Sequence, residues 1–453
     1  MNSLKTGSVF HLIDLSDRSI LQHYLGVARK GSAFPVFCDY TFATLYLWRH
    51  LYKAEWAIVA DFLVIRACCF GGDKRFYLQP LYVGCDEALV AGDSSIVAAK
   101  FVADVLPVLK VCSESLGEPF RMGFLRGDFA SALSENPDFY VYENRDYANY
   151  VYRSESLSLL SGRKLQPKRN HVHQFLAEYP DYQVRLLQKS DSGAALSLLD
   201  RWEQGLQYEN AILLAERDAI ADAFEHYDEL GLEGLLLSVP EGDGRRPVAF
   251  CFGSPVSEKV FCTHIEKADP SCKNAFAMIN KLMADHLKDR FDFINREEDL
   301  GEAGLRKAKL SYHPEQMIEA WFLMEKSSEE YKIWKLWQEA FDDSDSFLAS
   351  YIYPYSTPDA RILFYEDDDP QKELVAMCHV HYFDSDFGLA AYLYALAVSK
   401  KARGRGLGTL MVGKILERAR TNGAKLLWAV QGNLNYNAWE QSLGFFAPQM
   451  DVS

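Results

Sequence analysis

The sequence lacks the signatures of several protein classes. It contains no run of about 18 uninterrupted apolar residues, the length that a membrane-spanning helix requires. Its N-terminus has no apolar segment typical of a signal peptide. Basic residues are in the minority, since 48 Lys and Arg stand against 63 Asp and Glu for a formal net charge of -15. This balance argues against broad nucleic-acid binding unless one face concentrates the positive charge. We therefore expect a cytoplasmic protein without a membrane span.

Cysteine spacing gives no sign of a metal centre. The chain has nine cysteines, and no two are separated in the Cys-x-x-Cys manner that zinc-binding motifs use. We predict reduced and mostly buried thiols, as in a cytosolic protein, and no metal site.

What the sequence does contain is the composition of a large globular protein. Its 453 residues are 49% hydrophobic and 25% charged, and at roughly 150 residues per domain they allow about three domains. Polar stretches near residues 143–150 and 325–330 separate three segments, predicted as 1–148, 149–325 and 326–453. Each segment shows helices, a run of adjacent strands, a further helix and a closing strand. Adjacent strands pair antiparallel and a strand-helix-strand unit pairs parallel, so the predicted fold class is α/β with mixed sheets.

The third segment carries the most informative pattern. A predicted strand ending at Val398 runs into a glycine-rich turn and then into an amphipathic helix that starts near Thr409. Glycines allow the backbone to approach a ligand closely, and the first N–H groups of a helix favour an anion. The turn therefore suits a pyrophosphate. Its residues are Arg403, Gly404, Arg405, Gly406, Leu407, Gly408 and Thr409.

This segment resembles the GNAT acyltransferase family, whose signature is [Gln/Arg]-x-x-Gly-x-[Gly/Ala] between a strand and a helix. Residues 403–408 match the signature, and a later family motif matches Asn433, Ala438 and Gly444-Phe445. The resemblance implies that backbone amides of the turn hold the pyrophosphate of acetyl-CoA as acyl donor. It also implies that Asn433 belongs to the cofactor site, and that a strand segment binds the pantetheine arm. That segment is Leu396, Ala397 and Val398.

The resemblance also bears on the catalytic groups. Many family members carry a Tyr five residues before the terminal Phe, and here that position is Glu440. Glu440 is either a replacement acid or a sign of lost acid catalysis, and Tyr436, Gln441 or solvent are alternative proton donors. The chain ends eight residues after Phe445, so we expect the family's last strand to be short or absent. A general base would remove the proton of an amine acceptor, and the candidates are His379, His381, Asp384 and Tyr392.

Residues 1–325 resemble a bacterial family related to the soluble C-terminal domain of phosphatidylglycerol lysyltransferases. The matching stretches are 38–43, 47–49, 161–164, 168–171, 294–301 and 304–314. The resemblance implies two further GNAT-like folds, of the kind that aminoacyl-tRNA-dependent transferases also use. The whole chain is thus predicted to contain three tandem GNAT-like domains, the first of them without a cofactor motif.

Two basic clusters in the second segment are candidates for a second, anion-binding site. Clustered Arg and Lys side chains bind phosphate or carboxylate, although two solvated helix faces would look the same in the sequence. The polar run 295–299 follows a predicted strand and suits either catalysis or a salt-bridge network. The basic residues are Arg163, Lys164, Lys168, Arg169, Arg306, Lys307 and Lys309.

Three functions remain open from the sequence. The favoured one is an acetyl-CoA-dependent N-acyltransferase that acts through the third segment on a small-molecule or peptide amine. The second is an aminoacyl transferase centred on residues 149–325, with aminoacyl-tRNA as a less favoured partner. The third is a non-catalytic protein that acyl-CoA regulates. The sequence indicates neither the acceptor nor the oligomeric state.

Overall fold

The computed structural model describes residues 10–31, 36–68, 74–86, 89, 94–203, 211–355, 358–386 and 388–429. The chain forms two compact units. Unit 1 contains residues 1–328 and 344–354, and unit 2 contains residues 329–343 and 355–453.

Helices occur throughout the described residues. In chain order they are α1 (Arg18–Ala28), α2 (Phe42–Leu47), α3 (Arg49–Tyr52), α4 (Ser94–Asp104), α5 (Leu106–Ser115), α6 (Gly127–Ser134), α7 (Ser154–Leu159), α8 (Gln166–Glu178), α9 (Ser192–Glu203), α10 (Ala211–Glu225), α11 (Ala275–Leu287), α12 (Ala303–Leu310), α13 (Glu329–Ala340), α14 (Asp345–Tyr355) and α15 (Leu407–Thr421). Among these helices none is long and apolar enough to cross a membrane.

The described strands form three sheets. In chain order the strands are β1 (His11–Leu12), β2 (Glu55–Val59), β3 (Phe62–Cys68), β4 (Arg75–Leu78), β5 (Leu81–Tyr82), β6 (Arg121–Leu125), β7 (Phe139–Glu143), β8 (Asn149–Arg153), β9 (Gln183–Leu186), β10 (Glu233–Glu241), β11 (Gly244–Pro255), β12 (Val260–Ala268), β13 (Phe293–Asn295), β14 (Gln316–Ile318), β15 (Trp321–Glu325), β16 (Arg361–Tyr365), β17 (Leu374–Ser385), β18 (Gly388–Val398) and β19 (Leu426–Ala429).

All three sheets share one plan. The first has the order β1-β2-β3-β4-β6-β15-β7, with β5 beside β3, the second β14-β8-β13-β12-β11-β10-β9, and the third β16-β17-β18-β19. In each sheet an antiparallel meander ends on one parallel pair, which is β4 with β6, β12 with β13, and β18 with β19. The predicted fold class of mixed α/β sheets in tandem GNAT-like domains is confirmed.

Local sequence explains the meanders. Strands β10 and β11 form a hairpin in which Glu241 pairs with Gly244. Only two residues, Gly242 and Asp243, make the turn, and Gly242 has φ of 56°. Such tight hairpin turns need a positive φ, which glycine adopts without steric cost. The glycine therefore sets the register of β10 and β11.

The two sheets of unit 1 exchange strands. Strand β8 follows β7 in the chain but lies in the second sheet, between β13 and β14. Strand β15, which follows β14 closely, returns to the first sheet and lies between β6 and β7. The chain therefore crosses between the two sheets twice, and each crossing adds a strand to the sheet that it enters.

This exchange differs from the predicted segmentation. The last two strands of the predicted segment 149–325 lie in different sheets, β14 in the second and β15 in the first. In the first sheet β15 pairs on both edges, with β6 and with β7, which satisfies its backbone groups. One hydrophobic cluster also joins residues of the first sheet, such as Ile65, to residues of the second, such as Phe250.

Unit 2 packs helices on its sheet. Helix α15 covers one face, where Met411 and Ile415 join a buried cluster with Ala376 and Cys378 of β17. Neighbouring residues of a strand point to opposite faces, so His379 points away from this cluster. Its ring lies 5.4 Å from that of Trp337 on α13.

Candidate functional site

The glycine-rich turn of unit 2 lies between β18 and the N-terminus of α15. A short 3-10 helix over Lys400–Ala402 leads into it, and Gly406 is the residue that caps α15. Gly404 has φ of 79° and Gly406 has φ of 76°, values that residues with a side chain adopt at a cost. A Cβ atom built on either glycine, or on Gly408, meets no atom within 4 Å. The turn thus has the backbone shape of an anion cradle with open space in front of it.

Positive charge surrounds this turn. Arg403 and Arg405 are exposed, and the Nε of Arg403 donates to the carbonyl of Val398 at 3.4 Å. Lys401 instead forms ion pairs with Glu373 and Glu366. The two arginines therefore add positive charge at the helix N-terminus, which itself favours an anion.

Strand β18 lies between β17 and its parallel neighbour β19. Its pairing with β19 covers Ala390 to Leu393 in the described residues. Tyr394, the next residue, has no pairing partner on β17. This irregularity is a β-bulge, which bends the strand. Residues 396–398 continue to pair with β17. The segment predicted to bind pantetheine is thus held from one side by β17.

The predicted bases lie near a cluster of aromatic rings. His379 is fully buried, and burial lowers its pKa to about 3, helped by the charge of Arg361. His381 is half-buried, its pKa is lowered by burial, and its ring lies 5.3 Å from that of Tyr394. Tyr392 lies 6.1 Å from the same ring. His381 and Tyr392 therefore share one neighbourhood on the sheet.

Three further predicted residues contribute less to this neighbourhood. Asp384 is exposed near the far end of β17, where it pairs with Leu389. Glu440 and Asn433, with the alternative donors around Glu440, lie outside the described residues. The acid of the reaction and the later family motif therefore remain predictions.

A second polar site lies in unit 1, where β12 diverges from β13. These strands pair only over Val260–Cys262 and Phe293–Asn295. His264 comes just after this paired part of β12. It has no pairing partner on β11 because a β-bulge lies there, as at Tyr394 in unit 2. The His264 Nε2 lies 2.8 Å from Ser254 Oγ, and its Nδ1 lies 3.2 Å from Glu297 Oε1. The bulge thus places a buried imidazole at the opening of the parallel pair.

Carboxyl groups gather at this opening. Glu297 and Glu298 follow β13, and Asp39 lies on a 3-10 turn over Cys38–Tyr40. Burial raises the pKa of all three, and mutual repulsion raises those of Glu298 and Asp39 further. Burial also lowers the pKa of Lys309, although the carboxylates oppose this. The site therefore holds the Lys309 ammonium and the Arg296 guanidinium close to several carboxyl groups.

The backbone at this site is unusual. Glu297 has φ of 58° and Leu300 has φ of 51°, in a region that residues other than glycine seldom occupy. Asn295 is fully buried, and its Oδ1 accepts a hydrogen bond from the Glu297 N–H at 2.8 Å. The strained turn therefore aims the Glu297 carboxyl group toward His264.

The predicted basic clusters serve mainly internal contacts. Arg306 binds Asp299 and Asp146 through its guanidinium. Arg169 donates to the carbonyls of Leu160 and Gly162. These contacts are those of a salt-bridge network and a loop anchor. An anion-binding role for either arginine therefore stays a prediction.

The remaining basic residues divide into two groups. Lys168 lies 4.3 Å above the ring of Tyr312, and Arg296 lies 5.0 Å from the same ring. The buried Lys309 ammonium donates to the carbonyls of Arg296 and Glu298. Lys168 and Lys309 are thus both close to Arg296. The exposed residues are Arg163, Lys164 and Lys307.

Sequence reasoning missed the two cysteines of this site. The structure joins Cys38 and Cys262 by a disulfide across 224 residues, where reduced thiols were predicted. Residue spacing carries no signal for a pair that distant. Cys38 and Asp39 were recognised only as part of a family resemblance, and His264 only as a strand residue.

The corresponding opening of the first sheet is filled. Strands β4 and β6 pair over two residues, and the ring of Phe124 follows immediately. That ring lies 5.9 Å from Phe37, 6.0 Å from Phe76 and 5.5 Å from Phe322. Aromatic side chains thus occupy the place that is polar in the second sheet.

Comparison with known proteins identifies the family. The family model described as "Phosphatidylglycerol lysyltransferase, C-terminal" matches residues 36–324, which is more than half of the chain. The chain belongs to this family. The acetyltransferase (GNAT) family model matches residues 321–445, so the predicted combination of the two families is confirmed. The family match covers both sheets of unit 1, and the GNAT match covers the turn of unit 2.

Two solved structures are similar to this chain. A crystal structure of a conserved protein of unknown function from Bacteroides thetaiotaomicron is 32% identical, covers 70% of this chain and 99% of that chain, and has a TM-score of 0.59. The structure of L-PGS from Bacillus licheniformis is 13% identical, covers 69% of this chain and 93% of that one, and has a TM-score of 0.46.

A curated relative covers a smaller part. An uncharacterized protein of Mycoplasmoides gallisepticum is 25% identical over 186 residues, which are 39% of this chain and 55% of that protein. This chain therefore matches about half the length of that relative.

Proposed function

We propose that this acyltransferase takes an acyl group from acyl-CoA, preferably acetyl-CoA, in unit 2 and transfers it to an amine. The observation that carries the proposal is the turn over residues 403–408. Its two glycines have positive φ, it opens a helix of 15 residues, and it matches the GNAT signature.

The residues present fit the pyrophosphate of coenzyme A. Backbone N–H groups at a helix N-terminus are natural donors to phosphate oxygens, and the space in front of Gly404 and Gly406 is open. Arg403 and Arg405 supply positive charge on the same turn. Residues 396–398 would bind the pantetheine arm through backbone groups on the edge of β18 that faces away from β17.

The acceptor side is formed by the aromatic neighbourhood of His381. Bound acyl-CoA supplies a thioester carbonyl that an amine can attack. An ammonium must first lose its proton, and His381 is better suited than His379, since His379 is fully buried. Tyr392 pairs with His381 on the adjacent strand and can relay the proton. The rings of Trp337 and Tyr394 lie 6.2 Å apart beside them and would pack against the acceptor, a small-molecule or peptide amine.

The test uses the full chain with acetyl-CoA and a panel of amines, with release of free thiol as the readout. We expect amine-dependent thiol release, reduced about 100-fold in kcat by His381→Gln. The matched control His173→Gln, at an exposed helix position, should retain full activity. Binding of acetyl-CoA without thiol release on any amine would contradict transfer and favour a regulatory role.

A second candidate function belongs to unit 1, where the family description names a lysyltransferase. Burial, and then the charges of Glu298 and Glu297, raise the pKa of the Asp39 carboxyl group, so several acidic side chains share this opening, and carboxylates attract the ammonium groups of a lysyl residue. Transfer of an aminoacyl group from tRNA would then use the opening between β12 and β13, with Lys168 near the nucleic acid.

The two functions predict different donors. An aminoacyl-tRNA donor would give a complex whose affinity falls steeply as salt is raised, and Lys168→Ala would reduce that dependence. If no salt-sensitive tRNA complex forms, the aminoacyl-tRNA function is contradicted and only the acyl-CoA function stands. Either donor is cytoplasmic, so we propose the cytoplasm as the location.

A further inference from the structure

We propose that the reduced protein binds a zinc ion in unit 1 through Cys38 Sγ, Cys262 Sγ and the Glu297 carboxylate. The three ligand atoms lie within 4.8 Å of one another. Two thiolates and a carboxylate form a donor set that zinc accepts, and three protein ligands leave one coordination position for water. This zinc site was not predicted from the sequence, because its ligands come from three separate parts of the chain.

The ligands are held by their surroundings. The Cys38 N–H donates to Asn149 Oδ1 at 3.3 Å, and the same oxygen accepts a hydrogen bond from the Asn295 side chain at 2.9 Å. Asn295 Oδ1 in turn accepts the Glu297 N–H. Both asparagines are fully buried. One buried amide pair therefore positions two of the three ligands, as the groups around metal ligands commonly do.

His264 also holds a ligand of the proposed site. Its Nδ1 lies 3.2 Å from Glu297 Oε1, and its Nε2 lies 2.8 Å from Ser254 Oγ. Cys262 Sγ lies 3.5 Å from the same Glu297 oxygen. The Glu297 carboxylate therefore lies between an imidazole and the Cys262 sulfur atom, on the side of the two cysteines. His264 is thus a positioning residue, and its own ring nitrogens serve Glu297 and Ser254.

The three ligands differ in their exposure to solvent. Cys38 is 2% exposed and Cys262 is 0% exposed, whereas the Glu297 side chain is 21% exposed. The two sulfur atoms are thus shielded from solvent, and the Glu297 side of the cluster is the more accessible one. Metal binding here would connect the 3-10 turn of residues 38–40 to β12, as the disulfide does in the structure.

The disulfide and the zinc site are alternative states of the same sulfur atoms. A dithiol reductant breaks the S–S bond, gives two thiols and is itself oxidised to a disulfide. Zinc binding then releases the two thiol protons to water. In a reducing compartment the thiol state prevails, so zinc is the form expected there. The site is in unit 1 and does not depend on acyl-CoA binding in unit 2.

The experiment measures metal in the full chain, purified without oxygen and with a phosphine reductant. We expect about one zinc per chain. After replacement by Co²⁺, we expect a thiolate-to-cobalt charge-transfer band. Cys38→Ser and Cys262→Ser should each remove the band, and Glu297→Gln should weaken Co²⁺ binding about tenfold or more. The matched control is Cys272→Ser, since Cys272 is also buried but lies outside the cluster.

Three results would count against the proposal. One is a reduced wild-type chain that takes up no stoichiometric zinc or shows no charge-transfer band, a result that needs no variant to fold. Another is loss of the band in Cys272→Ser to the same extent as in Cys38→Ser. A Cys38–Cys262 disulfide recovered from cells trapped in acid would likewise count against the zinc form.

Discussion

Replacement of Gly406 by Val tests the pyrophosphate turn. Gly406 has φ of 76° and nothing within 4 Å of the position a Cβ would take. The variant therefore meets no clash inside the protein, and its cost is backbone strain of about 1–3 kcal/mol. That cost is below the roughly 5–15 kcal/mol by which domains are stable. We expect the Gly406→Val chain to fold.

Binding of acetyl-CoA should suffer much more. The added branches occupy the space in front of the turn, and each hydrogen bond from a backbone N–H to a phosphate oxygen is worth about 1.5–3 kcal/mol. Loss of one such bond weakens affinity by about 10- to 100-fold. Isothermal calorimetry with acetyl-CoA measures this directly. The control is Gly413→Val, at an exposed position of the same helix with open space around it, and its affinity should stay unchanged.

A folded Gly406→Val chain with wild-type affinity for acetyl-CoA would refute the reasoning. Equal losses in Gly406→Val and Gly413→Val would also refute it, because the effect would then come from the helix and not from the turn. Circular dichroism and thermal unfolding of each variant establish that it is folded.

The remaining predictions concern stability. The pKa of His379 is lowered to about 3 by burial, so between pH 3 and its unfolded value of about 6.5 the unfolded chain binds more protons. Stability of unit 2 should fall as pH drops through this window, by up to about 1.4 kcal/mol per pH unit. In His379→Gln the urea-unfolding midpoint should change less with pH over this window. An unchanged dependence of the midpoint on pH would contradict this. Arg306→Met should destabilise unit 1 by about 3 kcal/mol because it leaves the buried Asp299 carboxylate underpaired. The control Arg153→Met breaks an exposed pair with Glu315 and should cost under about 1 kcal/mol; equal melting temperatures for the two variants would sink the distinction.

Local sequence patterns predicted those features that depend on neighbouring residues. The glycines after Val398 lie in the turn that the pattern indicated, because positive φ is a local requirement. The hairpin around Gly242 and the helix that begins at Leu407 also follow local rules. In each case the residues that decide the conformation lie within a few positions of one another.

Features that depend on distant contacts were not predicted. Strand β15 reads as a closing strand of its own segment, and only the pairing partners show that it lies in the first sheet. The cluster of Cys38, His264 and Glu297 is likewise assembled from distant elements, since Cys38 is more than 200 residues from the other two. Periodicity describes which face of a strand is buried, but it carries no information about the sheet in which that strand pairs.

The most direct test of the central claim compares acetyl-CoA with S-acetyl-pantetheine, which carries the thioester and the arm but no pyrophosphate. If the turn at residues 403–408 holds the pyrophosphate, the full chain should bind acetyl-CoA at least about 100-fold more tightly. Gly406→Val should remove most of that difference. Equal affinity for the two compounds in the wild-type chain, or binding of neither, would contradict an acyl-CoA site in unit 2.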